Sequence, residues 1–304
     1  MMRGIYKLWC GILLFACTTD PDAKPLGQDV MLRMATTGEG AFEENIHSLA
    51  VYAFRESANG EYFYYRTLAR LGESEIKALE STSGGKKTIS TRLMIGSYEI
   101  YFMANGLGNY TGIPRERMTK PSDIVLTLPE HGVDSIYFLG SSKLNVGAGI
   151  VQPLSVTLSR AVSRLDMTIN GVPESIDSIS VTLGNITTRI AIDGSLSPKM
   201  TSLTSGIAVN NDDVYKKDTV RVSFLTFPTA MGVSDLHTTF RAKSGEYKGE
   251  KIGSAVLKPD HYVILTGNIN DAPGAFLSFD ITYHLFILDD WKNFYLPEFT
   301  VKPY

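Results

Sequence analysis

The 304-residue chain reads as all-β, arranged as two tandem antiparallel β-sandwiches, on three observations. Apolar residues recur at period two in many short segments, as strands with one buried face require. Turn pairs such as Asn170-Gly171, Gly184-Asn185 and Asp193-Gly194 punctuate those segments. Long amphipathic helical patterns are absent, and with 43% hydrophobic residues the chain is long enough for two cores.

The chain opens with a different kind of segment. Arg3 and Lys7 precede an apolar run, Leu8 to Ala16, that ends at Cys17. A basic start, a short apolar core and a small residue before a cysteine form a bacterial lipoprotein signal, with Cys17 the acylated residue. The run is far below the ~20 apolar residues that cross a bilayer. The lipoprotein signal spans residues 1–17; Cys10 leaves on cleavage after Ala16 and Cys17 would carry lipid, so the mature chain has no free thiol for a disulfide, a zinc site or a nucleophile. Residues 18–33 then read as a Pro- and Asp-containing tether followed by a leading strand and a possible propeptide.

From Val30 the alternation begins, with Val30, Leu32 and Met34 on one face and Met31 and Arg33 on the other. Strands are expected at Ser48 to Phe54, Tyr62 to Tyr65, Lys87 to Met94, Ser97 to Ala104, Asp123 to Leu128 and Ser135 to Gly140. Glu73 to Glu80 has helical spacing, and Gly106 to Pro121, rich in Gly, Asn and Pro, reads as a long surface loop. Gly147, Gly149 and Pro153 mark a boundary, giving sandwiches at 34–153 and 154–304. The second half continues with Leu154 to Leu158, Arg164 to Ile169, Ser178 to Leu183, Thr187 to Ile192, Thr219 to Phe227, His237 to Ala242, Tyr262 to Ile269, Phe276 to Ile287 and Phe299 to Val301.

Little in this pattern speaks for chemistry. A formal net charge of −3 without long runs of one sign gives no footprint for nucleic acid. His47, His131, His237, His261 and His284 lack metal-ligand spacing, Asp212-Asp213 and Asp289-Asp290 read as solvated turns, and no serine occupies a Gly-x-Ser-x-Gly elbow. No enzyme activity, metal or cofactor is expected. The run Tyr62, Phe63, Tyr64 and Tyr65 reads as alternating strand residues, Phe63 and Tyr65 inward. A flat exposed patch there would instead suit a cell-surface glycan-binding lipoprotein.

Four motifs, in order, carry a resemblance: Leu32-Arg33-Met34-Ala35-Thr36-Thr37, Ile46 to Phe54, Gly96 to Asn105 with its "Gly-x-Tyr, apolar, Ala-Asn" form, and Leu158 to Leu165. Together they resemble the Bacteroidales fimbrillins, the subunits of type V pili. The resemblance implies transthyretin-like sandwiches, export as a lipoprotein to the outer membrane and cell surface, and assembly with other fimbrial subunits by strand exchange, with a host or bacterial surface ligand possible for a tip. It also implies, for polymerising subunits, cutting after an arginine, here Arg33, which lies inside an apolar alternation. The physics of exchange stands apart from the name: an open groove with unpaired backbone is filled only by another strand. The tail Asn293 to Tyr304, with Phe294, Leu296, Phe299 and Val301 at period two, has the form of a donor. A tip or accessory subunit is the favoured role, because Gly106 to Pro121 offers a variable surface.

Overall fold

In the computed structural model, residues 27–37, 42–82, 85–112, 114–148, 153–172, 176–208, 219–242 and 247–268 are described. Within them eighteen strands, two short α-helices and one turn of 3-10 helix, Pro121–Asp123, follow in chain order. The first half contains β1 (Gly27–Thr36), α1 (Phe42–Asn45), β2 (Leu49–Glu56), β3 (Tyr62–Leu71), α2 (Glu73–Ala78), β4 (Ser81–Thr82), β5 (Lys86–Met94), β6 (Gly96–Ala104), β7 (Tyr110–Thr111), β8 (Val125–Thr127) and β9 (Phe138–Val146). The remainder contains β10 (Leu154–Arg160), β11 (Ser163–Asn170), β12 (Ile176–Thr187), β13 (Arg189–Ala191), β14 (Met200–Ala208), β15 (Thr219–Thr226), β16 (Ser234–Ala242), β17 (Tyr247–Ala255) and β18 (Tyr262–Asn268).

One eight-stranded sheet, ordered β3-β2-β6-β9-β10-β1-β5-β4, holds most of the first half. Its ladder thins between β9 and β10, where only Leu139 with Ser159 and Phe138 with Arg160 are paired. On either side of that junction, β2, β6 and β9 and then β10, β1 and β5 send Leu49, Ile100, Phe138, Leu158, Leu32 and Ile89 into one shared core. The sheet therefore wraps around its own apolar face.

The second half builds a four-stranded sheet, β14-β12-β16-β17, and a three-stranded one, β15-β11-β18. A small sheet, β13-β8-β7, joins the halves through Leu126 opposite Ile190. Apolar residues on both sides of the central strands explain how the cores meet. Along β2, Leu49, Val51 and Ala53 enter the first core, while Ala50, Tyr52 and Phe54 join a larger core with Leu165, Ile179 and Phe227. A strand buried on both faces reads as a continuous apolar run, as this one does.

The all-β reading stands, and α2 occupies most of the expected helical segment. Two pairings are not antiparallel: β1 runs parallel to β10, and β11 parallel to β18. Parallel partners need a crossover instead of a tight turn, so each pair is far apart in sequence and invisible to local pattern. β10, expected to open the second sandwich, bonds to β1 and β9 in the first sheet. Gly171 and Gly194 take the positive φ expected of their turns, 70° and 84°. Gly184-Asn185, in contrast, is a bulge inside β12, between Leu183 and Ile186, with Asn185 at φ 58°.

Candidate functional site

β1 lies inside its sheet. From Leu32 to Thr36 it pairs with Leu154 to Leu158 of β10, and from Gly27 to Met34 with Met94 to Lys87 of β5. Val30, Leu32 and Met34 are completely buried, as their alternation predicts. Both edges of the strand are thus hydrogen-bonded and one face is sealed. The odd residues turn the other way, with Met31 38% exposed and Arg33 half-buried. Arg33 sits opposite Ser155 on one side and Thr88 on the other, and its Nε has no hydrogen-bond partner among the described residues. The peptide bond after Arg33 is mid-strand, in backbone already committed to two neighbours. Without β1, β5 and β10 would present unpaired backbone along a trench lined by Ile89, Leu93, Val156 and Leu158.

Two of the sequence motifs acquire physical content. Asn105 closes the Gly96 to Asn105 strand with φ 62°, a left-handed conformation that asparagine tolerates. Its Oδ1 accepts from His47 N at 2.8 Å and Ser48 N at 3.3 Å, and its Nδ2 donates to Asn45 O at 2.7 Å and Ile136 O at 2.9 Å. One side chain thereby ties α1, the start of β2 and the approach to β9. In the Leu158 to Leu165 motif, Arg160 and Arg164 are both buried. Arg160 donates to Asp260 at 3.0 Å with Phe138 beneath its guanidinium, and Arg164 grips Asp166 through Nε and Nη2 while lying over Tyr262. The ion pair of Arg160 connects a strand of the first sheet to the turn before β18 and so joins the halves.

The aromatic run on β3 forms no flat platform. All four residues are half-buried, and Tyr62 and Tyr64 pack against the larger core where an outward direction was expected. Tyr64 stands edge-on to Tyr52 and Phe54, at interplanar angles of 62° and 78°. Cations cover the run: Lys143 lies 5.7 Å from the Tyr62 centroid, Lys120 5.5 Å from that of Phe63, and Arg55 and Arg66 each 5.9 Å from that of Tyr65. A cleft of about 400 Å³ alongside is lined by Arg55, Ser57, Phe63, Tyr65, Glu116 and Arg117. Glu116 and Arg117 pair at 3.6 Å, leaving that wall without one dominant charge.

The expected loop is also less free than its composition suggests. Tyr110 and Thr111 pair with β8, and the turn Arg115 to Thr119 clamps the edge of β3, with Arg117 N donating to Tyr64 O and Tyr64 N to Thr119 O. Cys17 and the tail residues Phe294, Leu296, Phe299 and Val301 lie outside the described residues. Among the described residues there is no group of His, Cys, Asp or Glu able to hold a metal, and no helix is long and apolar enough to cross a membrane. Burial lowers the pKa of His261, assisted by Lys258.

The decisive comparison is by sequence. The family described as fimbrillin-A associated anchor proteins Mfa1 and Mfa2 matches residues 19–280. The chain belongs to that family. Its fold recurs in the fimbrial anchor protein Mfa2 of Porphyromonas gingivalis, with a TM-score of 0.53 at 13% identity over 85% of this chain and 100% of the other. A fimbrial assembly protein from Parabacteroides distasonis gives 0.51 at 14% identity, covering 84% and 100%. A Bacteroides thetaiotaomicron protein conjectured to bind polysaccharide gives 0.56 at 12% identity, covering 84% and 98%. At these identities the solved structures speak for the fold alone. Comparison with curated proteins finds no match. This family membership makes the chain a fimbrial protein of the cell surface.

Proposed function

We propose that this fimbrial protein is an anchor subunit, exported as a lipoprotein, acylated at Cys17, held at the outer membrane and retaining β1 for life. The observation that carries the reading is the position of β1, paired on both edges with Val30, Leu32 and Met34 buried. A subunit whose groove is filled by its own strand has no place for a neighbour's strand, yet its tail remains able to enter the groove of the next subunit. That asymmetry suits the base of a fibre. The family's description as anchor proteins points the same way.

On this reading Arg33 is not a maturation site, since a protease needs extended, accessible chain and Arg33 is held between β5 and β10. The tip or accessory role rested on Gly106 to Pro121 as a variable surface, and the clamp of that segment on β8 and Tyr64 weakens it. Partners are other fimbrial subunits, reached through the donor residues Phe294, Leu296, Phe299 and Val301, and the membrane, reached through lipid. The test is genetic. Cells carrying Cys17→Ala should release assembled fimbriae into the medium, whereas fimbriae that stay cell-bound at the wild-type level would refute an anchoring role.

A further inference from the structure

Arg55, Arg66 and Arg92 gather at one end of the first sandwich, beside the start of β1. Arg55 and Arg66 share the Tyr65 ring, and Arg55 also lies 5.9 Å from the Tyr98 centroid. Arg66 donates to the backbone oxygen of Arg92 and to Thr91 Oγ1 at 3.3 Å, and Arg92 Nε donates to Gly27 O at 3.2 Å. Arg55 Nη2 donates to Ile95 O at 2.9 Å. Every one of these acceptors is neutral. A guanidinium carries five N–H donors, so most remain unused on three like charges held together.

Elsewhere some cations are paired and others, such as Arg70, Lys86 and Arg115, have no carboxylate within ion-pair distance among the described residues; what sets Arg55, Arg66 and Arg92 apart is that they lie together. Lys77, Lys120, Lys143, Arg117, Arg160 and Arg164 each have a carboxylate within ion-pair distance. Among the described residues none of Arg55, Arg66 and Arg92 does. The carboxylates at this end are largely occupied: Glu61 by Lys120, Glu99 by Lys143 and Glu116 by Arg117. Asp29, opposite Arg92 in register, and the exposed Glu56 remain, and neither forms an ion pair with the three.

The chain's path supplies the occupant. Nine residues separate Cys17 from Gly27, so ten Cα-to-Cα steps give a tether of at most ~36 Å, and Gly27 is the residue that Arg92 holds. If Cys17 carries lipid, this end of the sandwich is the end closest to the bilayer. We propose that Arg55, Arg66 and Arg92 form a docking face for the phosphate groups of an anionic membrane surface, fixing which end of the subunit lies on the membrane. The inference rests on the lipoprotein reading. A guanidinium fork fits phosphate, and the half-buried ring of Tyr65 with the fully buried ring of Tyr98 beneath holds the forks in place.

The test separates the two readings. The mature chain with Cys17→Ser, which no acyl chain can tether, is mixed with phosphatidylcholine vesicles with or without phosphatidylglycerol and sedimented. It should bind the anionic vesicles and release them as salt rises. Changing all three arginines to Gln should weaken binding by on the order of a hundredfold, about fivefold for each, while changing all three to Lys should keep most of it. The exposed pair Arg66→Gln and Arg92→Gln serves should the triple variant fail to fold. Equal binding to neutral vesicles, or a Gln variant that binds like the wild type, overturns the docking face and leaves the anchor reading intact. Absence of fatty-acid label at Cys17 in cells overturns the lipoprotein reading, and with it the membrane as occupant, whatever the vesicles show.

Discussion

Cleavage after Arg33 in the folded chain requires β1 to leave its sheet, and the cost of leaving can be perturbed one residue at a time. Leu32 is wholly buried between β5 and β10, so Leu32→Ala removes its packing from the strand's closed state and costs about 2–5 kcal/mol. If an arginine-specific protease cuts only the opened strand, cleavage follows the open population, and the variant should be cut after Arg33 roughly 30-fold to several-thousand-fold faster. Met31→Ala, on the 38% exposed side of the same strand, should change the rate little. The assay is a time course by mass spectrometry that compares cuts after Arg33 with cuts after Arg117, whose side chain is 87% exposed. Wild-type cleavage after Arg33 as fast as after Arg117, or the same Arg33 rate in Leu32→Ala, would refute the claim that β1 is locked.

Other perturbations probe the frame that holds the strand. Arg160→Ala strips the half-buried Asp260 of its cation and removes a buried guanidinium, and should cost about 2–4 kcal/mol in denaturant unfolding, with Arg164→Lys milder because it keeps the charge. Asn105→Ala removes four hydrogen bonds that join α1, β2 and the approach to β9, and should cost about 2–4 kcal/mol by the same measurement. Gly112→Ala should cost about 1–3 kcal/mol, since φ is 100° there and an added Cβ would collide with Asp123 O; an unchanged melting temperature would contradict the described path of this segment. Deleting Asn293 to Tyr304 should leave the melting temperature of the isolated subunit nearly unchanged and abolish its attachment to fibres, if the tail is a donor.

How much of this was legible in the sequence depends on how far each feature reaches along the chain. Period-two alternation located β1, β2, β5, β6, β10, β11 and β15 within a few residues, because each buries one apolar face or two. β14 and β17 escaped, and both are edge strands of their sheet: β14 is rich in Thr and Ser, and β17 carries Lys248, Glu250 and Lys251. The strand expected at Ser135 to Gly140 continues as β9 to Val146, with Leu144 and Val146 buried. Tertiary partners lay out of reach. Arg160 meets Asp260 and Asn105 meets Asn45 across long stretches of chain, so the motifs contained Arg160 and Asn105 without naming the partners that explain them. Arg33 shows the reverse: alternation placed it on a strand, but only pairing on both edges shows how fully its backbone is engaged.

The most direct test of the account is the N-terminus of the protein as it stands on the cell. Purified from outer membranes and examined by intact mass and N-terminal peptide mapping, the chain should begin at an acylated Cys17 and contain the peptide spanning Arg33 and Met34 uncut. A chain that begins at Met34, with β1 removed up to Arg33, would contradict it.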